Sequence, residues 1–240
     1  MATGSVRRFQ RLDAAAVERT LAGLQLRIIE RFPERGLNEV AANLALLLRD
    51  GMEDSEVQGR RVRALRGVCH VAAALVVAGA ITALWLVVRD AFRTAEGTPA
   101  FQWLPVLESG INDLVFGAIA VLFLLTAPSR VRRRRSLAAL HELRSLAHVI
   151  DMHQLAKDPH RLRPEVEPTD ATPHDDLSKG DMGRYLEYCS ELLALVGKAA
   201  ALQAQESADP VVLDGVAEIE SLTVGMSRKI WQKISMLSAG

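Results

Sequence analysis

The sequence predicts an all-α protein: a two-span transmembrane helical hairpin with a cytoplasmic helical bundle built from N- and C-terminal helices. Three observations predict it. The chain is rich in Ala and Leu with Arg as the usual cation, and at 49% apolar and 5% aromatic residues it has a helical bias. Two stretches, residues 67–88 and 106–127, are apolar over the length a bilayer demands. In most of the remainder, apolar residues recur at steps of three and four, the period of a helix.

Residues 1–66 read as a cytoplasmic N-terminal helical hairpin and stalk. Residues 1–10 are basic with no apolar run behind them, so no cleavable signal peptide is expected. Val17, Leu21, Leu24 and Ile28 share one helical face, with Asp13 as the candidate N-cap. Pro33 and Gly36 break the chain. Leu37, Val40, Leu44 and Leu47 resume the pattern, which is expected to end near Gly51. Asp54 or Ser55 then caps a third helix that runs straight into the first span.

The first span, residues 67–88, is apolar apart from His70 and Thr82, and about 20 such residues cross a bilayer core. A buried helix of a soluble protein seldom stays apolar on all faces for that length. The second span, residues 106–127, carries Glu108, Asn112 and Asp113 in its first third, and only residues 114–127 are free of charge. With the polar third included its length is right, and the first span needs a return. Arg60, Arg61, Arg63 and Arg66 precede the first span, and Arg130, Arg132, Arg133, Arg134 and Arg135 follow the second. Between them stand only Arg89 and Arg93, balanced by Asp90 and Glu96. The excess of basic residues on both outer flanks places both termini in the cytoplasm. Residues 89–105 become a short external loop with Gly97, Pro99 and Pro105, and Trp85 and Trp103 belong to the outer aromatic belt. The expected location is therefore multi-pass, in an inner or plasma membrane.

Residues 128–158 read as a juxtamembrane cytoplasmic helix. Pro128 forbids a clean continuation, so a kink or restart is expected there, with a helix from about residue 131 to 157. Residues 159–180 form an acidic, Pro-containing linker without apolar periodicity. Residues 181–240 form a C-terminal antiparallel helix pair. Ser178 and Asp181 resemble a capping box. Met182, Leu186, Cys189, Leu193, Val196 and Ala200 make the first seam. Asp209-Pro210 opens the last helix, whose seam is Val212, Val216, Ile219, Thr223, Met226, Ile230 and Leu237. Lys233, Cys, Ala and Thr weaken these seams as a free-standing coiled coil, but they suffice for a bundle or for self-assembly.

Four groups of residues are candidates for function. Glu108, Ser109, Asn112 and Asp113 lie within roughly 140° of the helix circumference. Ionised carboxylates facing lipid cost about 2.5–3.5 kcal/mol each near the bilayer centre. This face should therefore turn to protein or water. Glu108 would then sit at the headgroups, with Asn112 and Asp113 bonded to the first span or a neighbouring protomer. In a homo-oligomer the same face would form carboxylate rings at the outer mouth of a cation path. The second group is His141, Arg144, His148 and Asp151, a stripe at steps of three, four and three that is a polar interface or a pH sensor. His148 and Asp151 alone lack the third ligand of a metal site. The third is the arginine run 130–135, which marks topology and attracts anionic lipid headgroups. The fourth comprises the small residues Gly79 and Ala83, and Gly110 and Gly117, which permit close helix approach.

The formal net charge is +0, and the basic runs lack aromatic interleaving, so nucleic acid is not an expected partner. The two cysteines, Cys69 and Cys189, imply neither a disulfide framework nor a Cys-pair metal site. No Gly-rich phosphate loop, nucleophile elbow or dinucleotide fingerprint is present, so no cofactor and no enzymatic activity are expected. The expectation is a membrane protein whose cytoplasmic bundle mediates self-assembly or binds a protein partner at the inner face, in contact with anionic lipid. The alternative is a homo-oligomeric two-span pore with an acidic outer mouth.

Overall fold

The computed structural model describes residues 11–94, 104–159, 177–205 and 207–239, with side chains outside 52–62, 87, 91–94, 104–107 and 239. Most of the external loop (residues 89–105), most of the linker (residues 159–180), residues 1–10, Trp103 and the side chains of Asp54 and Ser55 lie outside the described set. The described residues form five helices and no strand: α1 (Ala14–Arg31), α2 (Leu37–Thr94), α3 (Leu104–Leu155), α4 (Lys179–Ala204) and α5 (Pro210–Ala239). They divide into two compact units, residues 1–54 with 135–240, and residues 55–134.

In the first unit, α1 begins where the Asp13 carboxylate accepts the Ala15 N–H at 3.0 Å, satisfying one orphan donor of the first turn. Its buried residues are Val17, Leu21, Leu24 and Ile28, the face expected from their spacing. Phe32 closes the helix, its N–H donating to the Ile28 carbonyl at 2.7 Å, and its ring packs edge-on against Tyr185 and Tyr188 with centroids 5.3 and 6.1 Å away. Leu37, Val40, Ala41, Leu44 and Leu48 of α2 are buried in the same core.

The break expected at Gly51 does not occur, because α2 continues through it to Thr94. A glycine costs about 1 kcal/mol in a helix interior, too little to end a helix that would need new caps on both sides. A Cβ there would meet the Gln203 amide of α4, the far end of a flexible side chain.

A restart at Pro128 is likewise absent, since α3 runs unbroken from Leu104 to Leu155 with Pro128 inside it. Proline removes the N–H that would bond back to Leu124. Nearby, Thr126 Oγ1 donates to the Leu122 carbonyl at 2.9 Å and Ser129 Oγ to that of Thr126 at 2.7 Å.

Ser178 caps α4, accepting the Asp181 N–H at 3.1 Å, while its hydroxyl donates to the Asp181 carboxylate at 2.6 Å. The helix therefore starts at Lys179, two residues ahead of the boundary expected at residue 181. Asp209 caps α5 through the Val211 N–H at 3.0 Å. α4 and α5 are antiparallel, with Gly183 beside Leu237 and Gly197 beside Thr223. Both expected seams are buried throughout. A second stripe of α4 is buried too, namely Tyr185, Tyr188, Leu192, Leu195 and Ala199. α4 is thus the central helix, and α1, α2, α3 and α5 all contribute to its one core. Each fully buried Leu there contributes about 1.5–3 kcal/mol of transfer free energy.

Two long apolar helical stretches run through the second unit, the later of them continuing into the first. Arg63–Asp90 has mean hydropathy 2.5 and Glu108–Leu155 has 2.0, and in each only 6% of the most apolar window is buried. A core helix of a soluble protein would be mostly buried. Both helices are long and apolar enough to cross a membrane. They touch where a Cβ at Gly117 would meet Val76 Cγ1 at 4.0 Å. Cys69 and Ala73, on the same side of α2 as Val76, are buried, as is Pro128. Toward the connecting segment the two helices leave each other uncovered. The described side chains over 77–86 and 108–116 are all exposed, and Gly79 and Gly110 have nothing within 4 Å of a Cβ position.

Candidate functional site

Glu108, Ser109, Asn112 and Asp113 all lie in that uncovered half. Among the described residues, no hydrogen bond or ion pair engages Asn112 or Asp113, so the first apolar helix does not answer them. Of the small residues, Gly117 sits at the helix contact, while Gly79 and Gly110 face open space. Near the end of the first apolar stretch the Arg89 guanidinium lies over the Trp85 ring, 4.9 Å from its centroid.

The arginines 130, 132, 133, 134 and 135 are all exposed, and Arg130 lies over the Phe123 ring at 5.6 Å. An exposed cluster of guanidinium groups suits an anionic surface.

The stripe of His141, Arg144, His148 and Asp151 does not converge on one site. Leu140, Leu143, Ala147 and Ile150 take the core, leaving His141 and His148 exposed. Arg144 crosses to α5 and pairs with Glu218 at 3.2 Å. Asp151 accepts from Gln154 Nε2 at 2.7 Å on its own helix. Among the described residues, no hydrogen bond joins His148 to Asp151, and no three His, Cys, Asp or Glu side chains come together in a metal-binding arrangement.

The structure instead assembles a polar cluster around the C-terminal turn of α3 that the periodicity did not single out. Lys233 of α5 donates from Nζ to the carbonyls of Gln154 at 2.7 Å and Lys157 at 2.9 Å. The Gln154 carbonyl, in the last turn of α3, also accepts the Lys157 N–H at 3.1 Å, and a cation there meets the negative end of the helix dipole. Lys157 is only 7% exposed, and its Nζ lies 5.0 Å from the Tyr185 ring centroid. The Tyr185 hydroxyl is 3.4 Å from His153 Nδ1, and His153 packs over Gly36, whose hydrogen side chain makes the room. Gln154 is buried, and its Oε1 has no hydrogen-bond partner.

Burial and the nearby Lys157 cation lower the pKa of His153, against a smaller opposing pull from Glu39. Burial also lowers that of Lys233, opposed by Asp158, Asp151 and Cys189. Burial pushes the Cys189 thiol up to about 12, so it stays protonated and is a poor nucleophile. At the other end of α4, the Ser178 hydroxyl and the Arg31 guanidinium hold the Asp181 carboxyl below its ordinary value. Arg31 and Arg27 reach α4 from α1, pairing with Asp181 at 2.9 Å and Glu191 at 2.8 Å. Near the opposite end of α1, an open groove of about 350 Å³ has an apolar floor including Val17 and Leu195 and a rim of Asp13, Glu191 and Lys198. The polar cluster ties the end of α3 to α4 and α5.

No known family, curated protein or solved structure matches the chain.

Proposed function

We propose that the chain is a two-span integral membrane protein with both termini in the cytoplasm, whose helical bundle mediates self-assembly or binds a protein partner at the inner face. The observation that carries this reading is the contrast between the two units. One pair of apolar stretches is left almost wholly uncovered, while the remaining helices close around a core of their own. The bundle also keeps large apolar side chains on its outside, among them Leu26, Leu46, Met152 and Trp231, which are the kind of residues a protein partner buries. The exposed arginines 130–135 are suited to anionic headgroups beside the bundle. No turnover and no cofactor are part of this reading.

Single cysteines introduced as Thr98→Cys and Ser238→Cys test the topology with a membrane-impermeant thiol reagent on intact cells. Labelling at position 98 and protection at 238 are expected. The reverse pattern overturns the orientation, and extraction of the chain by alkaline carbonate overturns the spanning reading altogether.

A second reading is favoured by one observation. The exposure of Glu108, Ser109, Asn112 and Asp113 on an apolar helix would suit a homo-oligomeric pore with an acidic outer mouth. Purified protein in liposomes would then conduct cations, and an absence of flux removes this reading.

A further inference from the structure

The Val76–Gly117 contact lies within two residues of the midpoint of each apolar span, so it marks the centre of the hairpin. Depth along the second apolar helix follows from it. Glu108 is nine residues from Gly117, about 14 Å along the axis, near the edge of a hydrocarbon core of half-thickness about 15 Å. Asp113 is four residues away, about 6 Å from the centre. Glu108 therefore reaches the headgroups by its own length, whereas Asn112 and Asp113 do not.

At 100° per residue, Ser109, Asn112, Asp113, Phe116 and Ala120 occupy a sector of about 100° on the helix, and all five are exposed. Gly117, beside that sector, turns to Val76 instead. On the first apolar helix, the Thr82 hydroxyl at a similar depth already donates to its own Ala78 carbonyl at 2.8 Å. Lipid at this depth offers neither donor nor acceptor, so a protein group must meet the carboxylate.

Copies inserted in the same orientation bring identical residues to identical depths. At the level of Asp113, a second copy presents Asn112. The amide has two N–H donors and the ionised carboxylate has only acceptors, so the two are complementary. A two-fold axis along the membrane normal makes the pairing reciprocal, since residue 112 of each copy meets 113 of the other. The small side chains of Ser109 and Ala120 in the same sector let the helices approach.

We propose that two copies of this chain pair in the membrane through the outer half of the second apolar helix, each Asn112 amide donating to the Asp113 carboxylate of the other copy. The pairing rests on the membrane-spanning reading and supplies the partner of its polar face.

The test uses the full chain in phospholipid vesicles and nanodiscs, in a Cys69→Ala, Cys189→Ala background. Ser109→Cys and Phe116→Cys should oxidise to disulfide-linked dimers. Leu122→Cys, on the opposite side of the helix, should not. Lipid dilution followed by energy transfer between labelled copies should show association weakened on the order of tenfold or more in Asn112→Leu, the loss of two interhelical hydrogen bonds. The exchanged variant, Asn112→Asp with Asp113→Asn, keeps the reciprocal pair and should recover association. A monomer at every lipid ratio overturns the pairing, as do cross-links at position 122. A mass of three or more copies replaces the pair with the ring of the pore reading and also overturns it. Self-association untouched by Asn112→Leu overturns it while leaving assembly through the bundle standing.

Discussion

Replacing Lys233 with Met removes the ammonium that closes the end of α3 and keeps most of its apolar stem. The Nζ makes two hydrogen bonds, at 2.7 and 2.9 Å, to carbonyls of Gln154 and Lys157. Hydrogen bonds to charged groups contribute about 1.5–3 kcal/mol each, although the Gln154 carbonyl keeps the Lys157 N–H as a partner. Two effects reduce the sum. Lys233 is only part-buried, so water can reach part of what is exposed by the substitution. Its lowered pKa also shows that holding the cation there carries a desolvation cost. The expected net loss is about 2 kcal/mol, which for a chain of this size lowers the midpoint of thermal unfolding by about 4–8 °C. Circular dichroism of the full chain in nanodiscs at neutral pH measures it, and hydrogen exchange at the C-terminal turn of α3 should accelerate in parallel. Lys229→Met, an exposed position on the same helix, should stay within about 0.5 kcal/mol of the parent. A Lys233→Met protein as stable as Lys229→Met, with unchanged exchange at the end of α3, would refute the capping role. The pH dependence has a definite sign. With the folded pKa below 10.5, the unfolded chain holds the proton longer, so the parent gains stability as pH rises from the folded pKa toward 10.5. Lys233→Met lacks that gain.

His153 has its pKa lowered from 6.5, so as pH falls through 6.5 the unfolded chain takes up its proton first and stability declines until the folded pKa is passed. In His153→Gln, unfolding midpoints measured across that window should flatten; an unchanged slope assigns the pH dependence to other groups. Gly51→Ala tests the continuity of α2. It should be neutral or stabilise by up to about 1 kcal/mol, because the Gln203 side chain can swing aside and alanine is the better helix former. Clear destabilisation in urea titrations would argue for the helix end that the sequence alone placed at Gly51.

Much of the fold was legible where a helix buries a single stripe. Val17, Leu21, Leu24 and Ile28 repeat at helical spacing and are the buried residues of α1. The caps at Asp13, Ser178 and Asp209 were equally plain, because each side chain satisfies a local donor and needs no distant partner. The second buried stripe of α4 was harder to see. Tyr185, Tyr188 and Leu195 are amphipathic or common residues that read as the flank of the first seam, and only the approach of α1 and the other helices makes them core. Gly51 and Pro128 each weaken a helix locally, but ending one there would leave backbone groups that need new caps on both sides, and α2 and α3 both run through. The stripe of His141, Arg144, His148 and Asp151 showed which residues share a face but not that the face points outward. His153, which meets another helix, lies off the apolar stripes, and Lys233, which also does, interrupts one.

Residues that contradict their local environment mark where a structure has more to do than fold, and this chain contains two sets with different resolutions. Lys157, Lys233, His153 and Gln154 are polar groups among apolar neighbours, and the bundle accommodates them itself. An ammonium meets carbonyls, another lies over an aromatic ring, and an imidazole adjoins a phenol, leaving only Gln154 Oε1 without a partner. Their cost is settled within one chain, so a structural role accounts for them. Asn112 and Asp113 have no such settlement among the described residues. In water that would be unremarkable, since exposed carboxylates are ordinarily solvated. On a helix apolar enough for a bilayer, the same exposure carries the penalty of a polar group in hydrocarbon. No described residue offsets that penalty, which is why the polar sector of the second apolar helix, rather than the better-connected cluster at the end of α3, is where an interaction of this protein should be sought.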